Sequence, residues 1–240
     1  MTLSRRQNVS SIVLSMVYNN DNTKLAVSDT FKTISITDLV SDDRKKTTIK
    51  LEANVADLEE FNGSLIFTEN HVLCSNNWES DKIEIVPEAK GLKVLQFQKF
   101  DECIVVLTTN GEFYKIGKSS EKIDISIPGC NFFKIINKST LAASVTDLDK
   151  NLIKIIDLGD KCCVKEIVLR SKANTVDFWN HFALVSYKDS TVDLMHIYSG
   201  EVVTCLEEPK ARTKTQHHTA KYHHNGSIIG KFLKKFGLNL

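Results

Sequence analysis

Residues 174–208 read NTVDFWNHFALVSYKDSTVDLMHIYSGEVVTCLEE. The stretch breaks at Asn180, Asp189 and Ser199-Gly200 into four short runs rich in Val, Leu, Ile and Phe. Runs of this length, separated by residues that favour turns, read as four antiparallel strands.

Working outward, the same pattern restarts upstream near Ile12, Val55, Val94 and Phe132, and Val176 opens the unit just quoted. The spacing is about forty residues. The first unit runs IVLSMVYN, KLAVSDT, TISITDL and KTTIKLE. Its third run alternates, placing Ile34 and Ile36 on one side and Ser35 and Thr37 on the other. Asn20-Asp21-Asn22, Asn62-Gly63, Asn110-Gly111 and Ser199-Gly200 mark turns, because these residues tolerate the positive φ of tight hairpins. A unit of four strands repeated at this period predicts an all-β chain, a β-propeller of about five four-stranded blades over residues 1–208. One blade cannot bury both its faces, so blades must stack. The expectation is a compact ring. An additional blade, or an open ring completed by a partner's strand, are the other ways to satisfy the edges. A sandwich or barrel of the same strands is the alternative topology.

Residues 188–208, KDSTVDLMHIYSGEVVTCLEE, resemble the second half of a WD repeat. Asp189 sits at the turn before the third strand, Ile197-Tyr198 stands where that family has Trp-Asp, and Ser199-Gly200-Glu201 makes the next turn. Ile156-Asp157-Leu158-Gly159 and Thr37-Asp38-Leu39 echo it, and the resemblance extends over about residues 10–208. It implies a WD-like propeller serving as a protein-interaction platform.

Charge is unevenly placed. The net charge is +1, with 31 Lys and Arg against 30 Asp and Glu. Residues 209–240 hold Lys210, Arg212, Lys214, Lys221, Lys231, Lys234 and Lys235 and no acid, which leaves 24 basic and 30 acidic residues before them. An acidic body with a basic tail implies two different tasks. Residues 209–227 read as a polar, His-rich linker, with His217, His218, His223 and His224 as solvated residues rather than a metal site. Residues 228–240 read as a short amphipathic helix capped by Ser227, with Ile228, Ile229, Phe232, Leu233, Phe236 and Leu240 on one side, the lysines opposite, and Leu238 as an outlier. That apolar stripe, with Trp78 and Trp179, forms the candidate partner-binding set. The basic residues named above are the candidates for contact with RNA or another anionic surface.

No run approaches eighteen apolar residues, so no integral membrane segment is expected. The N-terminus lacks the pattern of a signal peptide, and the six cysteines, Cys74, Cys103, Cys130, Cys162, Cys163 and Cys205, are expected to be reduced and buried, in the cytoplasm or nucleus. Alternation would place one of Cys162 and Cys163 in the core. Phosphate-binding loops, nucleophile elbows and metalloprotease helices are missing from the sequence. No catalytic residue, cofactor or metal is therefore expected. His71, His181 and His196 read as structural, and Asp38 and Asp157 as partners of local backbone amides. The expected function is a non-catalytic scaffold that binds protein partners within a multi-subunit complex. Two alternatives are an RNA-processing accessory subunit using the tail and a membrane-surface adaptor using the terminal helix.

Overall fold

A computed structural model describes residues 12–147, 150–189, 191–207, 220–222 and 228–230. It contains five four-stranded antiparallel sheets, each strand hydrogen-bonded to the next in sequence. Blade 1 is β1 (Val13–Tyr18), β2 (Lys24–Asp29), β3 (Thr33–Asp38) and β4 (Lys46–Lys50). Blade 2 is β5 (Leu58–Phe61), β6 (Ser64–Glu69), β7 (Val72–Asn76) and the two-residue β8 (Glu84–Ile85). Blade 3 is β9 (Val94–Phe100), β10 (Cys103–Thr108), β11 (Glu112–Ile116) and β12 (Ser120–Ser126). Blade 4 is β13 (Cys130–Asn137), β14 (Thr140–Asp147), β15 (Lys150–Asp157) and β16 (Cys162–Val168). Blade 5 is β17 (Ala173–Trp179), β18 (Phe182–Tyr187), β19 (Thr191–His196) and β20 (Val202–Glu207). The five expected units are thus five blades.

The chain forms two compact units, Met1–Thr109 with Phe113–Ile123, and Asn110–Glu112 with Asp124–Leu240. In the first, Ala26, Ile34, Ile36 and Ile49 of blade 1 meet Leu58, Leu65, Phe67 and Cys74 of blade 2. Phe61, Ile66 and Leu73, from the other side of blade 2, meet Phe97, Ile104 and Val106 of blade 3. In the second unit, Ala142, Ile153, Ile155 and Ile167 of blade 4 meet Val176, Phe178, Ala183, Val185 and Tyr187 of blade 5. Each strand feeds alternate residues to opposite faces, and the middle strands are apolar on both. Burying one such Val, Leu, Ile or Phe contributes about 1.5–3 kcal/mol, so the stacked faces carry most of the stability.

Trp78 takes part in the first of these clusters. It is only 4% exposed and its backbone φ is +68°, which turns the ring from the β7–β8 loop into the contact of blades 1 and 2. Its backbone N–H donates to Asn76 Oδ1 at 2.7 Å, and Asn76 Nδ2 donates to Ser80 O and Lys82 O, which fixes the loop. Trp78 is therefore a core residue, which corrects its place in the candidate partner-binding set.

The tail differs from expectation too. Ile228–Gly230 is a strand, β22, paired antiparallel with β21 (Ala220–Tyr222), with Lys221 opposite Ile229. A helix therefore does not begin at Ile228, and the linker placed at 209–227 contains a strand. Short apolar runs suit strand or helix equally by period alone, and Gly230 weakens a helix there. Residues 231–240, the rest of the expected helix, lie outside the described residues.

Two glycines separate backbone strain from crowding. Gly63, at φ +78°, has nothing within 4 Å of a Cβ, whereas a Cβ on Gly111, at φ +80°, would stand 2.3 Å from the Ile127 oxygen. Gly63→Ala is expected to cost about 1–2 kcal/mol, the left-handed penalty alone. Gly111→Ala should cost clearly more, read by chemical denaturation. Equal losses would show that the approach to Ile127 relaxes freely.

Candidate functional site

The polar groups of blade 5 form one network. Arg170, just beyond β16, donates from Nε to Asp193 Oδ2 at 3.1 Å and from Nη1 to Asp189 Oδ2 at 2.9 Å, and Nη2 reaches Thr191 Oγ1. Its guanidinium lies 4.1 Å from the centroid of the Tyr187 ring, a cation–π arrangement. Asp193 is buried, and the planar fork of Arg170 compensates its charge. Burial pushes the Tyr187 hydroxyl's pKa up, and the Asp193 carboxylate adds to the shift. Asp189 is held below the usual carboxylate range, first by the Thr191 hydroxyl, which donates at 2.6 Å. The network ties the exit of β16 to the β18–β19 turn.

Other carboxylates are likewise used locally. Asp38 Oδ1 accepts from the amides of Val40 and Ser41, both at 2.9 Å. Asp157 Oδ1 accepts from Gly159 N at 2.8 Å and Asp160 N at 2.9 Å. Both therefore act as the sequence suggested. Asp29 does the same at the β2–β3 turn, accepting from the amides of Phe31 and Thr33 and from the Thr33 hydroxyl. Buried Glu60 accepts from Gly63 N at 2.8 Å and pairs with Lys99 Nζ at 3.2 Å. His71 places Nδ1 3.1 Å from Val94 O, and His196 Nδ1 accepts from Ser199 N at 3.2 Å.

The resolved pKa shifts lower the carboxylates and raise the thiols and a phenol. Asp21, Asp38 and Asp189 go down, while the thiols of Cys74, Cys103 and Cys130 and the Tyr187 hydroxyl go up. All move away from neutrality, opposite to the tuning of a general acid or base. Among the described residues, no three His, Cys, Asp or Glu side chains are grouped to hold a metal ion.

What blades 4 and 5 do present is apolar surface on their outer strands. In β15–β16, Ile155 faces Lys165 and Ile156 faces Cys163, which leaves Val164 as an extra residue. In β19–β20, Leu194 faces Thr204 and Met195 faces Val202, which leaves Val203 extra. A bulge at the same place in both blades re-aims a side chain, and Val164 and Val203 are both exposed, as are Val168 at the end of β16 and Val202 at the start of β20. A Cβ at Gly200, in the turn before β20, would stand 3.5 Å from Ile167 of β16, so this turn lies against β16. Next to this turn, the Tyr198 ring lies 5.3 Å from His181 and 6.0 Å from His196, with Phe182 5.5 Å from His196. Tyr198 and His181 are exposed. These residues form an apolar and aromatic rim. The sequence reading missed it, because a bulge depends on register and the period-two pattern hides it.

Of the residues singled out from sequence, Trp179 ends β17 and is half-buried, and Trp78 is buried. Ile228 and Ile229 lie on β22 and Lys221 on β21. Phe232, Leu233, Phe236, Lys210, Arg212, Lys214, Lys231, Lys234 and Lys235 lie outside the described residues. The cysteines need correction. Cys74 and Cys130 are buried and Cys103 is intermediate, but Cys162, Cys163 and Cys205 are exposed. Cys162 and Cys163 open the outer strand β16, ahead of its bulge, and both are exposed there; the strand's buried residue is Ile167, so alternation does not send either thiol inward.

The fold is one already seen in solved structures. The WD40 β-propeller domain of Doa1 matches with a TM-score of 0.66 at 12% sequence identity, over 93% of this chain and 77% of that one. Hsv2 of Kluyveromyces lactis matches with a TM-score of 0.53 at 16% identity, over 92% of this chain and 72% of that one. No protein-family model and no curated protein matches the sequence. At these identities the likeness is one of fold: the chain is an all-β protein of five propeller blades.

Thiol labelling of the folded protein near neutral pH should modify Cys162, Cys163 and Cys205 quickly. Cys130 should resist until unfolding, since burial pushes its thiol up to about 12. Fast labelling of Cys130 would contradict its placement. The lowered aspartates set an acid limit as well. A carboxylate whose folded pKa lies below its ordinary value contributes stability that is complete above about pH 5 and lost as pH falls through the folded value. The melting temperature should therefore drop at acid pH, less steeply in Asp189→Asn. An unchanged acid limb would show that the Thr191 and Arg170 bonds do not favour the ionised form.

Proposed function

We propose that this protein is a non-catalytic scaffold, a subunit that holds protein partners within a larger intracellular complex. The observation that carries this reading is the exposed rim of Val164, Val168, Val202, Val203 and Tyr198 on blades 4 and 5. Apolar residues that a repeated bulge turns outward contribute little to the blade's own stability. They suit a partner's apolar surface.

The basic tail supports a second contact, with RNA phosphates, as in an accessory subunit of an RNA-processing complex. The charge segregation at residues 209–240 favours it. Neutralising several phosphates makes affinity fall steeply with salt, so salt-insensitive RNA binding would remove this reading. The membrane-adaptor alternative relied on a helix starting at Ile228, and the strand there withdraws that support.

The test is affinity purification with mass spectrometry on the full chain beside Val164→Asp/Val203→Asp. Both positions are exposed, so the variant should keep its stability to within about 1 kcal/mol. The expected result is a stoichiometric protein partner that is lost from the variant. A partner retained by the variant would move the interface away from the rim, and a full chain that captures no partner would overturn the scaffold reading.

A further inference from the structure

In blades 1, 2 and 4 the third strand ends on a side chain that caps the turn to the outer strand. Asp38 closes β3 and Asp157 closes β15, and each accepts from two amides of the turn that follows. Asn76, at the end of β7, accepts from Trp78 N in the same way. In blade 5 this position belongs to His196, the last residue of β19. Its Nδ1 accepts from Ser199 N at 3.2 Å, three residues on, as Asp38 accepts from Ser41 N. His196 is thus a turn cap of the same kind, built from an imidazole instead of a carboxylate or an amide.

The exchange changes how the cap answers to protons. A side-chain amide does not titrate near neutral pH, and a carboxylate keeps accepting well into acid. The Ser41 amide holds the Asp38 carboxyl below even the usual carboxylate range, with the Val40 amide next. An imidazole accepts at Nδ1 only while neutral, with its proton on Nε2. The second proton, which histidine ordinarily gains between about pH 5 and 8, goes to Nδ1 and faces the Ser199 N–H. Donor then meets donor, and the bond is lost.

Around His196 stand the His181 ring of the β17–β18 turn, 6.3 Å away, and the Tyr198 phenol at 6.0 Å. A charge on His181 as well would repel the first. Phe182, opposite on β18, is uncharged, and Asp177 on the same face of β17 is paired with Lys134. Lys165 of β16 borders the turn, its Cε 3.9 Å from a Cβ placed at Gly200. Glu201 is the one acid in residues 197–201, and its carbonyl accepts the His196 amide at 2.9 Å. Ser199 in turn accepts at Oγ from Glu201 N at 3.3 Å, so freeing the Ser199 amide loosens the link to β20. Tyr198 lies inside this turn, and Val202 and Val203 follow it.

We propose that His196 is a proton-operated latch on the blade 5 part of the rim: neutral, it fixes Tyr198 and the start of β20 for a partner, and protonated, it releases them, so that partner binding falls in mild acid. The binding consequence rests on the scaffold reading, whereas the latch is a property of the free chain.

The latch is tested by NMR titration of the full, partner-free chain from about pH 7.5 to about pH 5.5, in the wild type, His196→Asp, His196→Asn and His181→Asn. In the wild type the Ser199 amide should shift with the same midpoint as the His196 ring, and Tyr198 and Val202 with it. His196→Asp restores the cap of blades 1 and 4 and should flatten the response. If that variant fails to fold, His196→Asn must flatten it, and His181→Asn should keep it. A Ser199 amide that ignores the ring's titration would overturn the latch. So would a response that survives in a folded His196 variant or disappears in His181→Asn. Affinity purification at the two pH values then tests the consequence. Wild type should recover about tenfold less partner at the acid end, and the folded His196 variant should recover it equally at both. Equal recovery by a wild type whose turn titrates would overturn the link to the rim. Capture of no partner at either pH would overturn the scaffold reading and with it the binding consequence, while the titration still decides the latch.

Discussion

A four-stranded blade has two faces and can cover neither by itself, and the rest of this structure follows from that constraint. The third-strand residues Ile34, Leu73, Phe113, Ile153 and Val192 are all at most 1% exposed. They are where the face of each blade is sealed most completely. Around them the requirements relax outward. The second strand supplies small or apolar residues such as Ala26 and Ala142, which let the next sheet approach. The outer strand contributes one anchor, as Ile49 and Ile167 do, and its other positions answer only to water. Hence the core is uniform from blade to blade while the rim is free to vary.

That freedom explains where function can reside. In blade 1 the outer strand is guarded by Lys46 and Lys50, and in blade 2 it is cut to two residues. Both are ordinary ways of blunting an edge. Blades 4 and 5 instead carry a bulge that turns a valine outward. A bulge bends the strand and discourages simple strand addition, so the exposed valines suit side-chain contact better than backbone pairing. The polar network from Arg170 to Asp193 keeps the β18–β19 turn of blade 5 in place.

How much of this was legible in the sequence depended on range. Turn chemistry is local, so the amide-binding roles of Asp38 and Asp157 could be read from Asp followed by small or polar residues. The blades were legible because period-two runs recur at a fixed spacing. Trp78 was not, since its inward turn depends on a positive φ in a loop and on the space between two blades. The Asn70-His71 turn escaped notice for a similar reason. Both residues have positive φ, but His71 occupies the position where Gly is usual. Its cost is offset in part by bonds to Val94, whose amide donates to the His71 carbonyl at 2.8 Å. The exposed cysteines were misread because an apolar run on an outer strand looks the same as one inside. The rim of Val164 and Val203 was invisible because a bulge is a property of two strands at once.

Blade 5 is where the constraint is most exposed to view. Its rear face meets blade 4 as every stacked face does, and the inner part of its forward face is sealed as tightly as any in the protein. Yet Leu206 is open where Ile49 and Ile167 are closed, although all three stand opposite a residue buried to 1% or less. The difference cannot come from the strand pairing, which is the same in the three blades at this position. Nor does it come from side-chain chemistry, since Leu and Ile bury similar area. It comes from what lies over the face: the sheet of blade 2 packs on Ile49 and the sheet of blade 5 packs on Ile167, whereas Leu206, on the last strand of the last blade, keeps 39% of its surface open.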